Sequence, residues 1–233
     1  MSAKESAKVL IFDADDTLWE NNVLFEQVID DFLDWIDHPT RDRAQTRKVL
    51  DDIEAANAVT NGYGAKMLLR SLHDCFEKLS ERPATAPERA AIDELAGKLV
   101  RHEIEPIAGV TDTLDALRGR YRMLLLTKGD LEEQQQKLDV SGLAPHFDSI
   151  HIVPEKNVDT YRVLIAEQDI VPETAWMIGN SMKSDIGPAR AAGMNAVYIP
   201  NDHTWVLEFD DSVNREDERV LLVEAFPDLL KHF

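Results

Sequence analysis

The chain has 233 residues, of which 44% are hydrophobic and 30% are charged, enough for one globular domain or for a core domain that carries a smaller insertion. Its 25 Lys and Arg residues against 44 Asp and Glu residues give a formal net charge of -19, which argues against a nucleic-acid partner bound through a basic face. The single cysteine, Cys75, excludes an internal disulfide and a thiolate metal cluster, and its apolar context predicts a core position.

The first eight residues, MSAKESAK, are polar and lead into an apolar run of only four residues. This pattern predicts neither a signal peptide nor a membrane-spanning segment. We therefore expect a cytoplasmic protein that has no membrane partner.

Five short apolar runs predict strands, and each run is interpreted as buried on both faces of a sheet. In chain order they are VLIF (9–12), MLLLT (123–127), SIHIV (149–153), AWMI (175–178) and AVYI (196–199). From the second run onward, segments with helical spacing separate the strands, namely LEEQQQKLDV, VDTYRVLIAEQ and SDIGPARAAG. This alternation predicts a parallel sheet with helices on both faces.

The segment between the first two runs has no convincing strand and is filled with amphipathic helical patterns. The predicted helices cover residues 24–36, 41–59, 65–80 and 87–104, and turns that contain Pro, Gly or Asn separate them. We therefore predict a helical insertion at 20–104 within a core domain made of residues 1–19 and 105–233. After Pro200 the chain is acidic and irregular, and it closes with the short helical pattern FPDLLKHF.

Polar residues follow four of the predicted strands, at the points where these strands end. In an open parallel sheet, ligands bind outside the carboxyl ends of the strands, so these residues are the candidates for a functional site. In chain order they are Asp13, Asp15 and Thr17; Thr127, Lys128 and Gly129; Lys156; and Gly179, Asn180, Ser181 and Asp185.

The chemistry of these side chains predicts a magnesium site. Carboxylate and amide oxygens without histidine or thiol suit Mg²⁺ far better than Zn²⁺. A cation would also offset the repulsion between close carboxylates, about 4 kcal/mol for unit charges 4 Å apart at an effective dielectric near 20. Because Mg²⁺ usually takes one or two carboxylates together with substrate phosphate, the site predicts a phosphorylated ligand.

These motifs resemble those of the haloacid dehalogenase superfamily of phosphohydrolases. The family has a D-x-D-x-T loop, then a Thr or Ser, a Lys and an acidic fourth loop, matched here by Asp13 to Thr17, by Thr127, by Lys156 and by GNSMKSD ending at Asp185. The resemblance covers residues 8–200 in the right order. It implies an α/β fold with a Rossmann-like parallel sheet of strand order 3-2-1-4-5, and a helical cap domain of the C1 type formed by the insertion.

The resemblance implies a Mg²⁺-dependent phosphatase that hydrolyses a small phosphorylated metabolite through an aspartyl-phosphate. Asp13 is then expected to be the nucleophile and Asp15 the general acid and base. Thr127 and Lys156 are expected to bind phosphoryl oxygens and to stabilise their charge during transfer. Asp15 stands where dehalogenating members are expected to have an aromatic residue, which favours phosphoester chemistry.

The same resemblance extends to binding residues around the reacting group. The expected phosphate-binding or substrate-binding residues of the core are Thr17, Thr127, Lys128, Gly129 and Lys156, and the expected metal ligands are Asp13, Asp15, Asn180 and Asp185. Two positions depart from the family pattern, because Asn180 stands where Asp is frequent and Asp16 where Gly is common. An amide carbonyl would then replace one metal-binding carboxylate, and Asp185 would carry the charge.

The turn TNGYGAK lies between two helices of the insertion. Tyr63 and Lys66 in this turn are candidate substrate contacts, and an ordinary helix connection is the alternative interpretation. The cap sequence does not select among sugar phosphates, nucleotides and phosphoglycolate.

Three other functions remain open at this point. A phosphomutase would use the same core, and an inactive homologue would bind a partner through its cap. A receiver-type signalling domain also combines Asp, Thr and Lys around Mg²⁺, but its phospho-accepting aspartate is expected after a later strand. The oligomeric state is expected to be a monomer or a homodimer.

Overall fold

The computed structural model describes residues 8–36, 38–100, 104–210 and 217–233. The chain divides into two compact units. One unit, here termed the sheet unit, consists of Met1–Glu20 and Ile104–Phe233, and the other, termed the helical unit, consists of Asn21–Glu103.

The sheet unit is built on six parallel strands in the order β3-β2-β1-β4-β5-β6. The strands are β1 (Val9–Phe12), β2 (Arg122–Lys128), β3 (Ser149–Val153), β4 (Trp176–Gly179), β5 (Asn195–Tyr198) and β6 (Val220–Leu222). The predicted α/β class and the order 3-2-1-4-5 are confirmed, and β6 extends the sheet beyond the predicted strands.

The central strand β1 shows why an unbroken apolar run forms a strand here. Successive side chains point to opposite faces, so Leu10 and Phe12 join one hydrophobic cluster while Val9 and Ile11 join another. All four are buried, as expected where helices cover both faces of a parallel sheet. Each such side chain stabilises the fold by roughly 1.5–3 kcal/mol.

The prediction that every strand is buried on both faces is wrong for β3. This strand lies at an edge of the sheet and pairs only with β2, and Ile150 within it is 36% exposed. The apolar run SIHIV alone does not show this exposure, although the implied order 3-2-1-4-5 places the third strand at an edge. An edge strand has one neighbour, so less of its surface is covered.

In its described residues, the helical unit contains four helices: α1 (Asn22–Ile36), α2 (Arg43–Asn61), α3 (Ala65–Ser80) and α4 (Ala86–Val100). All four were predicted, although residues 101–103, in the predicted last turn of the fourth, lie outside the described residues. Asp42 begins α2 with a capping box, because its carboxylate accepts the Gln45 amide hydrogen and the Gln45 side chain accepts that of Asp42. Phe32, Leu50 and Cys75 are fully buried among these helices, which confirms the core position of the cysteine.

Four further helices belong to the sheet unit: α5 (Val110–Leu117), α6 (Leu131–Ser141), α7 (Val158–Glu167) and α8 (Gly187–Ala191). A π-helical turn, Met182–Ile186, precedes α8 and overlaps the start of the predicted helical segment SDIGPARAAG. The helix α5 was not predicted, and the closing pattern forms a 3₁₀-helix at Phe226–Lys231. No helix in the described parts of the chain is both long and apolar enough to cross a membrane.

Candidate active site

The loop after β1 is a tight turn, and its first residue still forms a backbone hydrogen bond to the neighbouring strand. The Asp13 amide donates to the Ile178 carbonyl at 2.9 Å, so the chain still pairs beside β4 where the strand ends. Asp16 then adopts a left-handed backbone with φ +61°, and its amide donates to the Trp19 carbonyl at 2.8 Å. Aspartate tolerates this conformation better than most residues, which explains why Asp can stand where Gly is common.

The first cluster of the site joins residues from three strand ends. Lys156, between β3 and α7, donates from Nζ to Asp13 Oδ1 and to Asp185 Oδ1, the second contact at 2.7 Å. The side chains of Asp13, Lys156 and Asp185 are 9%, 2% and 1% exposed. The structure therefore brings together three residues that the sequence places up to 172 positions apart (185 − 13 = 172).

The electrostatics of this cluster follow from its burial. Desolvation raises the pKa of Asp13 to about 7, the negative charge of Asp185 adds to the rise, and Lys156 opposes it. Burial disfavours the charged form of Lys156, but Asp13 and Asp185 outweigh it and raise the pKa of this ammonium above its ordinary value. Two carboxylates thus share one ammonium, and the cluster is short of positive charge.

A glycine makes the position of Asp185 possible. A Cβ atom at Gly179, the last residue of β4, would lie 2.2 Å from Asp185 Oδ2. That same oxygen accepts the Ser181 amide hydrogen at 3.0 Å. The wide π-helical turn therefore folds the carboxylate back against the strand end, into space that any larger residue at position 179 would occupy.

Asn180 and Thr17 lie beside the nucleophile candidate. The Thr17 hydroxyl is 3.3 Å from Asp13 Oδ2 and 3.4 Å from Asn180 Oδ1. Since a hydroxyl has one hydrogen, it can donate to only one of these oxygens at a time. Asp13 and Asn180 therefore present two oxygen ligands to the same small region, and both residues are buried.

The donor set fits a magnesium ion by its chemistry. In the described part of the chain no three His, Cys, Asp or Glu side chains form a ready-made metal cluster. The group of Asp13, Asp185 and the Asn180 amide instead offers two carboxylates and a neutral oxygen, beside a deficit of positive charge. Mg²⁺ typically takes one or two carboxylates and completes its shell with water and substrate oxygens.

Asp15 is held by a second set of partners. Its Oδ1 accepts from Trp19 Nε1 at 2.8 Å, its Oδ2 accepts from Gln134 Nε2 at 2.8 Å, and Lys137 Nζ lies 3.1 and 3.2 Å from the two oxygens. Burial disfavours the charge of Lys137, yet Asp15 and Glu133 raise its pKa. These donors already engage both oxygens of the Asp15 carboxylate. Metal binding by Asp15 therefore stays a prediction.

Thr127 and Gly129 lie at the end of β2, next to Asp15. The Thr127 hydroxyl oxygen accepts from Gln134 Nε2 at 2.9 Å, and Thr127 is 2% exposed. Gly129 has φ +149°, a backbone conformation that side chains rarely adopt, and its amide donates to the Val153 carbonyl at 3.0 Å. The strand end is thereby fixed against both α6 and β3.

Lys128 points into a third group of charges. Its ammonium pairs with the Glu208 carboxylate and donates to the Ser184 hydroxyl at 2.8 Å. Glu208 also accepts from the Ser181 and Ser184 hydroxyls, each at 2.5 Å. Burial alone would raise the pKa of Glu208, but Lys128 and the serines lower it. Direct phosphate binding by Lys128 stays a prediction.

The two candidate substrate contacts of the insertion lie in the helical unit. Tyr63 is half-buried in the connection between α2 and α3, and Lys66 is exposed in the first turn of α3. Their role in substrate binding stays a prediction.

Sequence reasoning missed four residues of this site, namely Trp19, Gln134, Lys137 and Glu208. Gln134 and Lys137 lie three residues apart on α6, directly after the strand that ends in Thr127, and that spacing places them on one helix face. This spacing could have identified both residues as candidates from the sequence. Glu208 lies in the irregular acidic segment after β5, where no periodic pattern marks it.

Comparison with known proteins places these motifs in a family. The model of the family described as haloacid dehalogenase-like hydrolase matches residues 7–193. The crystal structure of a haloacid dehalogenase-like family hydrolase from Xanthomonas campestris is similar, with TM-score 0.83 and 30% identity, covering 99% of this chain and 94% of that one.

Two curated relatives are phosphatases or nucleotidases by name. Pyrimidine 5'-nucleotidase YjjG of Escherichia coli is 27% identical over 206 residues, which is 83% of this chain and 86% of the relative. Phosphoserine phosphatase of Thermus thermophilus is 31% identical over 132 residues. That second alignment spans 53% of this chain and only 52% of the relative.

Proposed function

The chain belongs to the haloacid dehalogenase-like hydrolase family, and from that membership we propose that it is a Mg²⁺-dependent phosphatase of a small phosphorylated metabolite. One observation carries the proposal. A buried Asp13–Lys156–Asp185 cluster lies at the carboxyl edge of the parallel sheet, where such folds bind ligands. The Thr127 hydroxyl and the Asp15 carboxylate, joined by Gln134, belong to the same edge.

In the first chemical step, one carboxylate oxygen of Asp13 attacks phosphorus. The bond from phosphorus to the ester oxygen breaks, and Asp15 gives its proton to that oxygen as the alcohol leaves. The product is an aspartyl-phosphate on Asp13 and an ionised Asp15.

In the second step, the ionised Asp15 takes a proton from a water molecule. The water oxygen attacks phosphorus, and the bond to Asp13 breaks. Inorganic phosphate is released, Asp13 regains its carboxylate, and Asp15 is protonated again. One residue therefore serves as acid and then as base, which divides one difficult hydrolysis into two easier transfers.

Lys156 and Thr127 are proposed to stabilise the charge on the phosphoryl oxygens. The Lys156 ammonium is fully buried against Asp13, so its field acts in a medium of low dielectric, where charge stabilisation is strong. Because Gln134 donates to the Thr127 oxygen, the hydroxyl hydrogen of Thr127 is left to donate to a phosphoryl oxygen.

A magnesium ion would be held by Asp13, Asp185 and the amide oxygen of Asn180. When bound, it would supply positive charge to the phosphoryl oxygens and oppose the burial that raises the pKa of Asp13. Asp15 remains a further candidate ligand. The uncompensated carboxylate in the buried cluster supports this assignment.

The phosphomonoester substrate class is favoured over dehalogenation by two observations. Position 15 has a carboxylate, which can act in acid-base catalysis, where an aromatic side chain is expected of dehalogenases, and the curated relatives reported above are a phosphatase and a nucleotidase by name. Nucleotides and phosphorylated amino acids are therefore the first substrates to examine. A phosphomutase would share the same core chemistry, and product analysis separates it from a hydrolase.

The test is hydrolysis of p-nitrophenyl phosphate by the purified protein in Mg²⁺, with and without a chelator. We expect turnover with Mg²⁺, loss on chelation, recovery on adding Mg²⁺ back, and loss in Asp13→Asn. The control variant is Asp159→Asn, since that carboxylate is 84% exposed and forms a surface ion pair with Arg162.

Turnover that persists in Asp13→Asn would remove the covalent mechanism, and turnover unaffected by chelation would remove the metal. A panel of phosphate esters then defines the substrate, and it should include nucleoside 5'-monophosphates and phosphoserine.

A further inference from the structure

We propose that Lys137 and Gln134 are positioning residues that hold the Asp15 carboxylate for proton transfer with the leaving alcohol and the attacking water. This inference rests on the proposed phosphatase function and goes beyond it, because it assigns a role to one face of α6. Neither residue belongs to the motifs by which the site was recognised.

Lys137 contacts both oxygens of Asp15 at nearly equal distances, 3.1 and 3.2 Å. Its side chain is only 13% exposed, and Glu133 lies 3.5 Å away on the same helix. An ammonium enclosed in this way loses hydration, and such a loss is repaid only by well-placed partners. The Lys137–Asp15 pair is therefore a built contact of the site, unlike a flexible surface ion pair.

Gln134 links Asp15 to the neighbouring strand end. Its Nε2 lies 2.8 Å from Asp15 Oδ2, 2.9 Å from the Thr127 hydroxyl oxygen and 2.9 Å from the Lys128 carbonyl. All three neighbours can accept, so the nitrogen, which has two hydrogens, must be the end of the amide that faces them. One buried side chain thus fixes the distance between Asp15 and Thr127.

The other end of the Gln134 amide shows the cost of this arrangement. Its Oε1 is buried and has no hydrogen-bond donor among the described residues. An unpaired buried acceptor costs about 1–3 kcal/mol. The contacts made by the nitrogen end therefore hold the side chain in an orientation that leaves its oxygen unsatisfied.

Trp19 completes the restraint, since its indole donates to Asp15 Oδ1 at 2.8 Å. Three side chains from two segments then define the plane and the rotation of the carboxylate. Catalytic groups lose efficiency when they are misplaced by as little as 1 Å. Loss of Lys137 should therefore impair the chemistry that Asp15 performs and leave the phosphoryl-binding groups in place, whereas loss of Gln134 should also release Thr127.

The experiment compares two esters that differ in their need for an acid. A p-nitrophenolate ion leaves without protonation, whereas an alkoxide requires a proton. We expect Lys137→Met and Gln134→Met to lower kcat/KM for an alkyl phosphate by roughly 10–100-fold, part of the ~10²–10⁴-fold that acid-base catalysis supplies. For p-nitrophenyl phosphate we expect a loss of less than about three-fold in Lys137→Met, because phosphoryl binding is retained. The loss should be larger in Gln134→Met, which also removes the donor to the Thr127 oxygen.

Three further variants attribute the effect to Asp15. Lys137→Arg keeps the charge and should recover most of the lost rate. In an Asp15→Asn background, Lys137→Met should add no further loss, because residues that act through one group are not additive. Gln135→Met on the same helix is the control, since Gln135 is exposed and contacts Asp139.

Far-ultraviolet circular dichroism and urea unfolding show that each variant is folded before its rates are compared. In Lys137→Met, an equal loss on both esters, or no loss on either, would overturn the positioning role while the phosphatase function stands. Additive losses in the Asp15→Asn background would overturn it as well. If the unmodified protein hydrolyses neither ester, the proposed function fails and this inference fails with it.

Discussion

The sheet unit and the helical unit treat charged residues in different ways. In the sheet unit, Asp13, Lys156 and Asp185 are withdrawn from solvent at the strand ends. In the helical unit, ion pairs such as Lys48–Asp52, with side chains 75% and 60% exposed, lie on the surface. Among the described residues of the helical unit, Glu54 on α2 is the one charged side chain that is buried.

The difference shows where the protein accepts an energetic cost. Burying a charge costs several kcal/mol unless a partner of opposite sign is buried with it. The strand-end cluster meets that condition through Lys156. Glu54 does not meet it, since its Oε2 has no hydrogen-bond donor among the described residues. Desolvation raises the pKa of Glu54 to about 7, although the nearby charge of Arg47 acts to lower it.

Removal of Lys156 should produce the largest effect. Lys156→Met leaves two buried carboxylates without their cation, and we expect it to abolish turnover and to lower the free energy of unfolding by about 3–5 kcal/mol. Urea unfolding at pH 7 without metal measures this loss. Lys231→Met, at an exposed pair with Asp228, is the control. A loss equal to that of the control would show that the buried cluster does not depend on its ammonium.

The pH dependence of Glu54 should produce the next largest effect. The folded chain keeps a proton on Glu54 up to about pH 7, whereas the unfolded chain releases it near the ordinary pKa of 4.5. The stabilisation from that proton is full below pH 4.5 and is lost as the pH rises to about 7, a difference of about 3 kcal/mol. Glu54→Gln has no such proton.

We therefore expect the free energy of unfolding of Glu54→Gln to gain about 3 kcal/mol relative to the unmodified protein between pH 4.5 and pH 8. Other titrating groups are common to both proteins and cancel in this difference. Urea unfolding across that range measures it. Parallel stability curves would mean that folding does not raise the pKa of Glu54.

A methyl group at Gly179 should have an intermediate effect. Gly179→Ala sets a Cβ 2.2 Å from Asp185 Oδ2, so the carboxylate must move away from Lys156 and Ser181. We expect a loss of about 1–3 kcal/mol in stability, as for other overpacked interiors, and a larger proportional loss of turnover. Unchanged kinetics would show that Asp185 can shift without consequence for the proposed metal site.

The smallest effect is expected at the surface of the helical unit. Lys48→Met removes the 3.1 Å contact with Asp52 at i, i+4 spacing. Exposed pairs of this kind contribute about 0.3–0.5 kcal/mol and are screened by salt. A change above 1 kcal/mol in urea unfolding would mean that the contrast between buried and exposed charges is weaker than the structure indicates.

Much of the fold could be predicted because hydrophobic spacing is a local signal. The strands β1, β2 and β3 stand out as short apolar runs, and the four inserted helices stand out by their helical spacing. The strand β6 was missed since Val220–Leu222 is three residues long and partly exposed. The exposure of β3 depends on strand order, which its own residues do not encode.

The site could be predicted only at the level of which residues follow the strands. The contact of Asp13 with Lys156 and Asp185 agrees with the rule that parallel strands deliver their ends to one edge. The partners of Asp15 could not be derived in the same way, because they depend on the direction of side chains on α6. Glu208 had no periodic or motif context at all.

The pairing of β1 limits how early the sheet can form while the chain is being synthesised. Its residue Val9 lies opposite Arg122, and Leu10 lies opposite Trp176, so the central strand has no neighbour until more than a hundred further residues are made (122 − 9 = 113). At roughly 5–20 residues per second, that wait is on the order of ten seconds. The helical unit is continuous in sequence and is complete earlier, so β1 stays an unpaired apolar segment of the nascent chain while the helical unit is made.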